Sequence, residues 1–279
     1  LAAGRQGRQA ARFGRDVHIE FPTTIDDAVR VLDGDTTCLA GGTDLMVEVN
    51  FGHLHPTHVV ALRRIEELRE MRDDWIGAGV THARLEHSPW PGLAEAARTV
   101  GSPQIRSAGT IGGNIGTASP AGDALPFLAA VDATIVTRSV NGSRELRWNE
   151  FFTGVKRTAL LPGELIVGVK LPSEMPDRQG FSKIGTRSAM VIAIASVCLA
   201  RFADGRTRVA LGSVAPTVVR AWQAEEMISA ERSPSEAALD EFQRLVSEEA
   251  SPITDHRATA RYRRHGVGVI ARRTLERLL

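Results

Sequence analysis

The stretch SPQIRSAGTIGGNIGTASPAGDALP, residues 102–126, packs five glycines and three prolines among serines and threonines. Such density predicts an extended, turn-rich loop, and loops held on a rigid scaffold are where binding groups concentrate. Upstream, TTCLAGG reads as a strand running into a glycine turn, and TDLMVEVN follows with helical spacing, so residues 36–50 predict strand, turn, helix. The turn itself is LAGGTDLM, residues 39–46. Glycine lacks the Cβ that keeps a ligand off the backbone, and successive amide N–H groups in a turn form a concavity suited to a pyrophosphate. Gly41 with Gly42 and Gly112 with Gly113 both fit. Thr43, Thr110, Asn114 and Ser119 place hydroxyl and amide groups beside them, and Asp123 can accept a hydrogen bond from a ribose or polyol hydroxyl. Neither segment is GxGxxG or GxxxxGK(S/T), so the usual nicotinamide fingerprint and the P-loop are absent.

Outward from these turns, Thr23 or Thr24 caps a helix whose Ala28, Val29, Val31 and Leu32 form a buried stripe. HVVAL is a short strand, RRIEELREMRD a polar turn or helix, and WIGAGVTHARLE has strand character. LAEAARTVGS is helical to Gly101. PFLAAVDATIVTRS gives a helix and a strand, and LPGELIVGVKLP a strand between prolines. SEMPDRQG, residues 173–180, is the best domain boundary, being rich in proline, glycine and charge. Beyond it GFSKIG, AMVIAIASVCLARF and RTRVALGSVA read as three strands, with Met190 in an apolar strand of the core. Helices at PTVVRAWQAEEMI, SPSEAALDEFQRLVSEEA and from about residue 257 complete a sheet-plus-helices unit.

The chain has 279 residues, enough for one large or two ordinary domains, and 34 basic against 33 acidic residues, which gives no overall field for nucleic acid or an anionic membrane. Cys38 and Cys198 lie far apart with no CxxC pair, so no disulfide framework, zinc site or iron–sulfur site is encoded, and a reducing cytoplasm fits. No apolar run is long enough for a membrane span. The first fifteen residues are basic without an apolar core and read as a tail, not as a secretory signal. His53, His55 and His58 fall within six residues, but Pro56 and the loop composition favour a surface loop over a metal site. Arg187 reads by default as an exposed arginine, with a subunit or acceptor anchor as the alternative.

Five segments in order, LAGGTDLM, SPQIRSAGTIGGNIGTASPAGDALP, FFTGVKRTALLPGELI (151–166), FSKIGTRSAMVIAIA (181–195) and SPITDHRATARYRRH (251–265), resemble the FAD-binding medium subunit of xanthine dehydrogenase and carbon monoxide dehydrogenase type molybdenum hydroxylases. The resemblance runs from about residue 17 to the C-terminus. It implies an α+β fold: a PCMH-type (vanillyl-alcohol-oxidase-like) FAD-binding domain of two subdomains over residues 16–175, then a CO dehydrogenase flavoprotein C-terminal-like domain, a three-stranded sheet with helices, over 178–279. It also implies that FAD is held by Ala40, Gly41, Gly42, Thr43, Asp44 and Leu45, by Thr110, Ile111, Gly112, Gly113 and Asn114, and by Asp123, Ile166 and Lys183. Val100, Val155 and Met190 stand where the family often has aromatic residues, which alters how the flavin ring is covered.

A flavin carries the redox chemistry, so no catalytic triad, general base or metal ligand is expected on this chain. The resemblance implies partners: a [2Fe-2S] subunit that delivers single electrons and a molybdopterin-binding large subunit, as a dimer of heterotrimers, with NAD or another acceptor receiving the electrons. A cationic Lys183 near the ring would favour the anionic reduced flavin. Two other readings stay open, a self-contained FAD-dependent oxidoreductase of the same fold and a flavin-free assembly subunit.

Overall fold

A computed structural model describes residues 17–279; the basic tail expected over residues 1–15 lies outside them. Strands β1 (His18–Glu20), β2 (Thr37–Leu39) and β3 (His58–Ala61) form a parallel sheet in the order β1-β3-β2. Helix Ile25–Val31 connects β1 to β2. Thr24 starts it by accepting a hydrogen bond from the Asp27 N–H, and Ala28 and Val29 anchor it in the core. The LAGG turn leads into helix Leu45–Asn50, as its spacing predicts. RRIEELREMRD forms two 3-10 turns that are polar outside but bury Ile65 and Leu68.

The second layer is antiparallel. It comprises β4 (Met71–Arg72), β5 (Trp75–Gly77) and the hairpin β6 (Thr134–Ser139) and β7 (Gly142–Arg147). A small ribbon, β8 (Phe152–Gly154) with β9 (Arg157–Thr158), precedes the central strand β10 (Leu165–Lys170). The sheet order is β4-β5-β10-β6-β7. The β5–β10 ladder continues one residue past Gly77, where the Ala78 N–H donates to the Val167 carbonyl and ties β10 to the chain upstream of the glycine-rich stretch.

Two segments in this half differ from their sequence reading. WIGAGVTHARLE is a strand only over Trp75–Gly77, because Thr81 caps a helix, His82–Leu85, that buries His82 and Leu85. The stretch expected to be a loop is largely helical: Ser102 caps Pro103–Ala108 and Thr110 caps Ile111–Thr117. Glycine and serine content argues for a loop, but two capping hydroxyls and the buried pair Ile111 and Ile115, four apart, decide for helix.

The C-terminal sheet runs β11 (Arg178–Ile184), β12 (Ala195–Arg201), β13 (Thr207–Gly212) and β14 (Val219–Arg220), all antiparallel. The expected three strands are present, and β14 adds a two-residue fourth, so the following helix begins only at Trp222. Strand β12 explains the long apolar run. Ala195, Val197 and Leu199 pack on Phe242, Val246, Val267 and Leu275 of the helices, whereas Cys198 and Ala200 belong to the core of the N-terminal half. Successive side chains point to opposite faces, and here both faces are covered. The apolar stretch ahead of β12 is not strand, however: residues 189–194 form a loop, and Met190 has a left-handed backbone (φ 50°) and is half exposed, not core.

Polar contacts join the halves. Glu95 accepts from the Phe181 N–H (2.7 Å) and from Arg277 (3.2 Å), and Asp132 takes Arg208 and Arg220, each at 3.1 Å. Among the described residues no helix is long and apolar enough to cross a membrane. Cys198 is buried, Cys38 is exposed, and both are free thiols.

Candidate functional site

A cleft of about 730 Å³ opens where the parallel sheet, the second layer and the loop before β12 meet. Its volume lies within the range of small-molecule and cofactor sites. Ala40, Gly41, Gly42, Thr43, Asp44 and Leu45 line it, as do Thr110, Gly112, Gly113, Asn114, Asp123 and Ile166. Two of the expected residues do not. Ile111 is fully buried in the core, and Lys183 sits behind Asp123.

The two glycine segments touch. A Cβ on Gly41 would stand 1.9 Å from the Ala108 carbonyl oxygen, so only glycine permits this approach. Gly42 adopts φ 72°, a left-handed conformation open to glycine at little cost, and turns the chain into the next helix. Within this turn the backbone N–H groups of residues 41–45 donate to no protein acceptor among the described residues. All five residues line the cleft, so this turn brings a run of unused donors to its wall.

The TIGGN segment behaves differently. The Ile111 N–H donates to the Val80 carbonyl (2.9 Å), Gly112 to Ala78 (2.8 Å), Gly113 to the Thr110 hydroxyl (3.0 Å) and Asn114 to the Thr110 carbonyl (3.0 Å). Its amides are therefore occupied, and the expected second amide concavity is not formed. The glycines have two other tasks. A Cβ on Gly112 would meet Ala78 Cβ at 2.6 Å, so Gly112 lets the helix seat on the chain beyond β5. Gly113 and Gly116, three apart on one helix face, line the cleft with almost nothing against their missing side chains. They form a Cβ-free wall.

Side chains supply what these amides do not. Asn114 Oδ1 and Asp123 Oδ1 are buried, line the cleft and have no hydrogen-bond partner. An unpaired buried acceptor is costly, which marks both as groups that await a donor. Asp123 Oδ2 takes the Lys183 ammonium at 2.7 Å, and Lys183 also donates to the Thr99 carbonyl at 3.2 Å. Burial pushes the Asp123 carboxyl up, and the ammonium beside it opposes that push. Asp44 links the two segments by accepting from the Thr117 hydroxyl at 3.1 Å.

His82 was not singled out in the sequence. It is 3% exposed, lines the cleft, and carries an Nδ1 with no partner. Burial lowers its pKa from 6.5 to about 4, so it is neutral near pH 7 and can offer either a donor or an acceptor. A single histidine on an apolar stretch gives no signal from sequence; only the Thr81 cap that turns it inward could have flagged it.

The far wall is the loop before β12. Met190, Val191 and Ile192 line the cleft, with Met190 and Ile192 about half exposed. Arg187 Nε donates to the carbonyls of Ala189 (3.0 Å) and Met190 (3.1 Å), so this exposed arginine staples the loop. From the C-terminal helix, buried Arg263 donates to the Ile194 carbonyl (2.8 Å) and the Ser213 carbonyl (3.0 Å) and pairs with Asp255 at 2.6 Å. The SPITDHRATARYRRH segment thereby fixes the base of the loop from outside the cleft. Val100 lies on the cleft wall; Val155 does not.

Residues 15–174 match the model of the FAD binding domain in molybdopterin dehydrogenase, and residues 181–278 match that of the CO dehydrogenase flavoprotein C-terminal domain. The chain is 30% identical over 262 residues to the glyceraldehyde dehydrogenase medium chain of Sulfolobus acidocaldarius, covering 88% of this chain and 92% of that one. Its fold is similar to a chain of carbon monoxide dehydrogenase from Hydrogenophaga pseudoflava, with a TM-score of 0.86, 29% identity, and 94% and 96% of the two chains covered. Quinoline 2-oxidoreductase from Pseudomonas putida 86 gives a TM-score of 0.87 at 25% identity, with the same coverage.

Proposed function

The chain belongs to the FAD-binding medium subunits of the molybdenum hydroxylase family, and from that premise we propose that it carries electrons between a partner's [2Fe-2S] cluster and an acceptor such as NAD. FAD is its cofactor, and the chain is a subunit of an oxidoreductase. The observation that supports the assignment of the site is the conjunction, in one cleft, of free amides at residues 41–45 with unpaired acceptors on Asn114 and Asp123.

The residues present fit the cofactor. The amides from Gly41 to Leu45 hold the diphosphate, with Ala40 and Thr43 shaping the turn and Asp44 bracing it. Thr110, Gly112 and Gly113 present the Cβ-free wall, and Asn114 and Asp123 accept hydrogen bonds from its N–H and hydroxyl groups. Ile166 offers an apolar contact. Ile111 and Lys183 act from behind the wall: Ile111 anchors the helix, and Lys183 holds Asp123 in place while carrying a compensating charge. The bare cationic field expected of Lys183 is thus moderated by the carboxylate against it.

When bound, FAD supplies the redox chemistry that links one-electron carriers to a two-electron acceptor. The protein's contribution is to orient it, to exclude water on the Met190–Ile192 side, and to set the local charge through the Asp123–Lys183 pair. The domain boundary falls within residues 173–180, the setting is a reducing cytoplasm, and the assembly is a dimer of heterotrimers with a molybdopterin-binding large subunit. Affinity purification of the tagged chain from its own cells, with metal and flavin analysis, tests this. Two further subunits with stoichiometric molybdenum, iron and FAD are expected. A chain that turns over an electron donor alone, without partners, overturns it in favour of a self-contained oxidoreductase.

A further inference from the structure

Away from the cleft, His18, Glu20 and His58 gather on one face of the parallel sheet. The register places them there: His18 and His58 are cross-strand partners, and Glu20, two residues further along β1, shares the face of His18. Glu20 Oε1 lies 2.8 Å from His58 Nε2 and 3.5 Å from His18 Nε2, and one ligand atom from each residue lies within 4.8 Å of the others. Ligands about 2.0–2.1 Å from a tetrahedral zinc ion stand about 3.3 Å apart. The observed spacings bracket that value.

The environment of His58 favours a metal ligand. Its Nδ1 faces the Thr36 hydroxyl at 3.4 Å, and that hydroxyl donates to Asp33 Oδ1 at 2.6 Å. His58 Nε2 faces Glu20 Oε1 at hydrogen-bond distance, so a metal ion here takes the place of the proton shared by the imidazole and the carboxylate. A histidine ligand whose second nitrogen is fixed by an outer hydrogen bond is the arrangement metal sites use. The three histidines close in sequence are not the set: His53 instead pairs with Glu48 at 3.0 Å.

We propose that His18, Glu20 and His58 form a zinc site of two imidazoles and one carboxylate, with a fourth position open to solvent. None of the three lines the cleft, so the site is independent of the flavin. Equilibrium dialysis of the metal-free full chain against zinc chloride, with cobalt(II) chloride as a visible-absorption probe, tests it. One saturable equivalent is expected, with four-coordinate cobalt absorption, and affinity falls at least about tenfold in both His58→Ala and Glu20→Gln. Flavin content is unchanged in each. If His58→Ala fails to fold, the exposed His18→Gln carries the same test. Absence of saturable one-to-one uptake, or uptake unaltered in the Glu20→Gln and His18→Gln variants, overturns the proposal.

Discussion

The two glycine turns look alike in sequence and divide the work in the structure. LAGGTDLM leaves its amides free and lines the cleft with backbone; TIGGN uses its amides internally and contributes a smooth wall, a packing contact and the Asn114 side chain. A glycine pair thus does not by itself say whether the backbone is offered to a ligand or consumed by the fold. What decides is the set of acceptors behind the turn. Thr110 caps the helix and takes the amides of Gly113 and Asn114, while the Ala78 carbonyl takes that of Gly112.

That division can be broken most severely at the support behind TIGGN. Lys183→Met leaves Asp123 buried without its cation and is expected to cost about 3–5 kcal/mol, toward the lower figure because Asp123 can take up a proton. Urea denaturation measures it, and the double variant Lys183→Met with Asp123→Leu should recover part of the loss. A change below about 1 kcal/mol in the single variant would show that the pair is not structural.

His82 sharpens the same side through pH. Its folded pKa is below its unfolded value, so the unfolded chain binds the extra proton first, and stability falls as pH drops from about 6.5 toward 4. The full effect at pH 4 is roughly 3 kcal/mol, and His82→Gln should flatten that limb of the stability profile. Above pH 7 the two proteins should run in parallel.

The glycines themselves separate packing from binding. Gly112→Ala drives a methyl into Ala78 and is expected to cost about 1–3 kcal/mol, and Gly41→Ala at the Ala108 carbonyl at least as much. Gly113→Ala meets only the Thr110 hydroxyl at 3.3 Å, so its stability should change by less than about 0.5 kcal/mol while FAD retention falls. Thr24→Ala, far from the cleft, sets the floor: about 1 kcal/mol of helix-cap stability lost with flavin content intact.

Much of this was legible from sequence because local rules and global fold agree. The strand, turn and helix at residues 37–50, the helix Glu236–Glu249 and the apolar core strand β12 all follow from period and composition. The misread segments are those where composition and context conflict. Residues 103–117 have the glycine content of a loop, yet their caps and buried isoleucines make helices. Residues 189–194 are apolar enough for a strand, but Arg187 and Arg263 hold their carbonyls away from any ladder. Neither the unpaired Nδ1 of His82 nor the Asp123–Lys183 pairing has a signature in one dimension, since both depend on which surfaces meet.

The most direct measurement is a crystal structure of the chain loaded with FAD. Diphosphate oxygens should lie within hydrogen-bond distance of the amide nitrogens of residues 41–45, with Asn114 Oδ1 and Asp123 Oδ1 newly paired and the Thr110 cap intact. A diphosphate seated instead on the amides of residues 111–114, with that cap broken, would contradict the division of labour between the two turns.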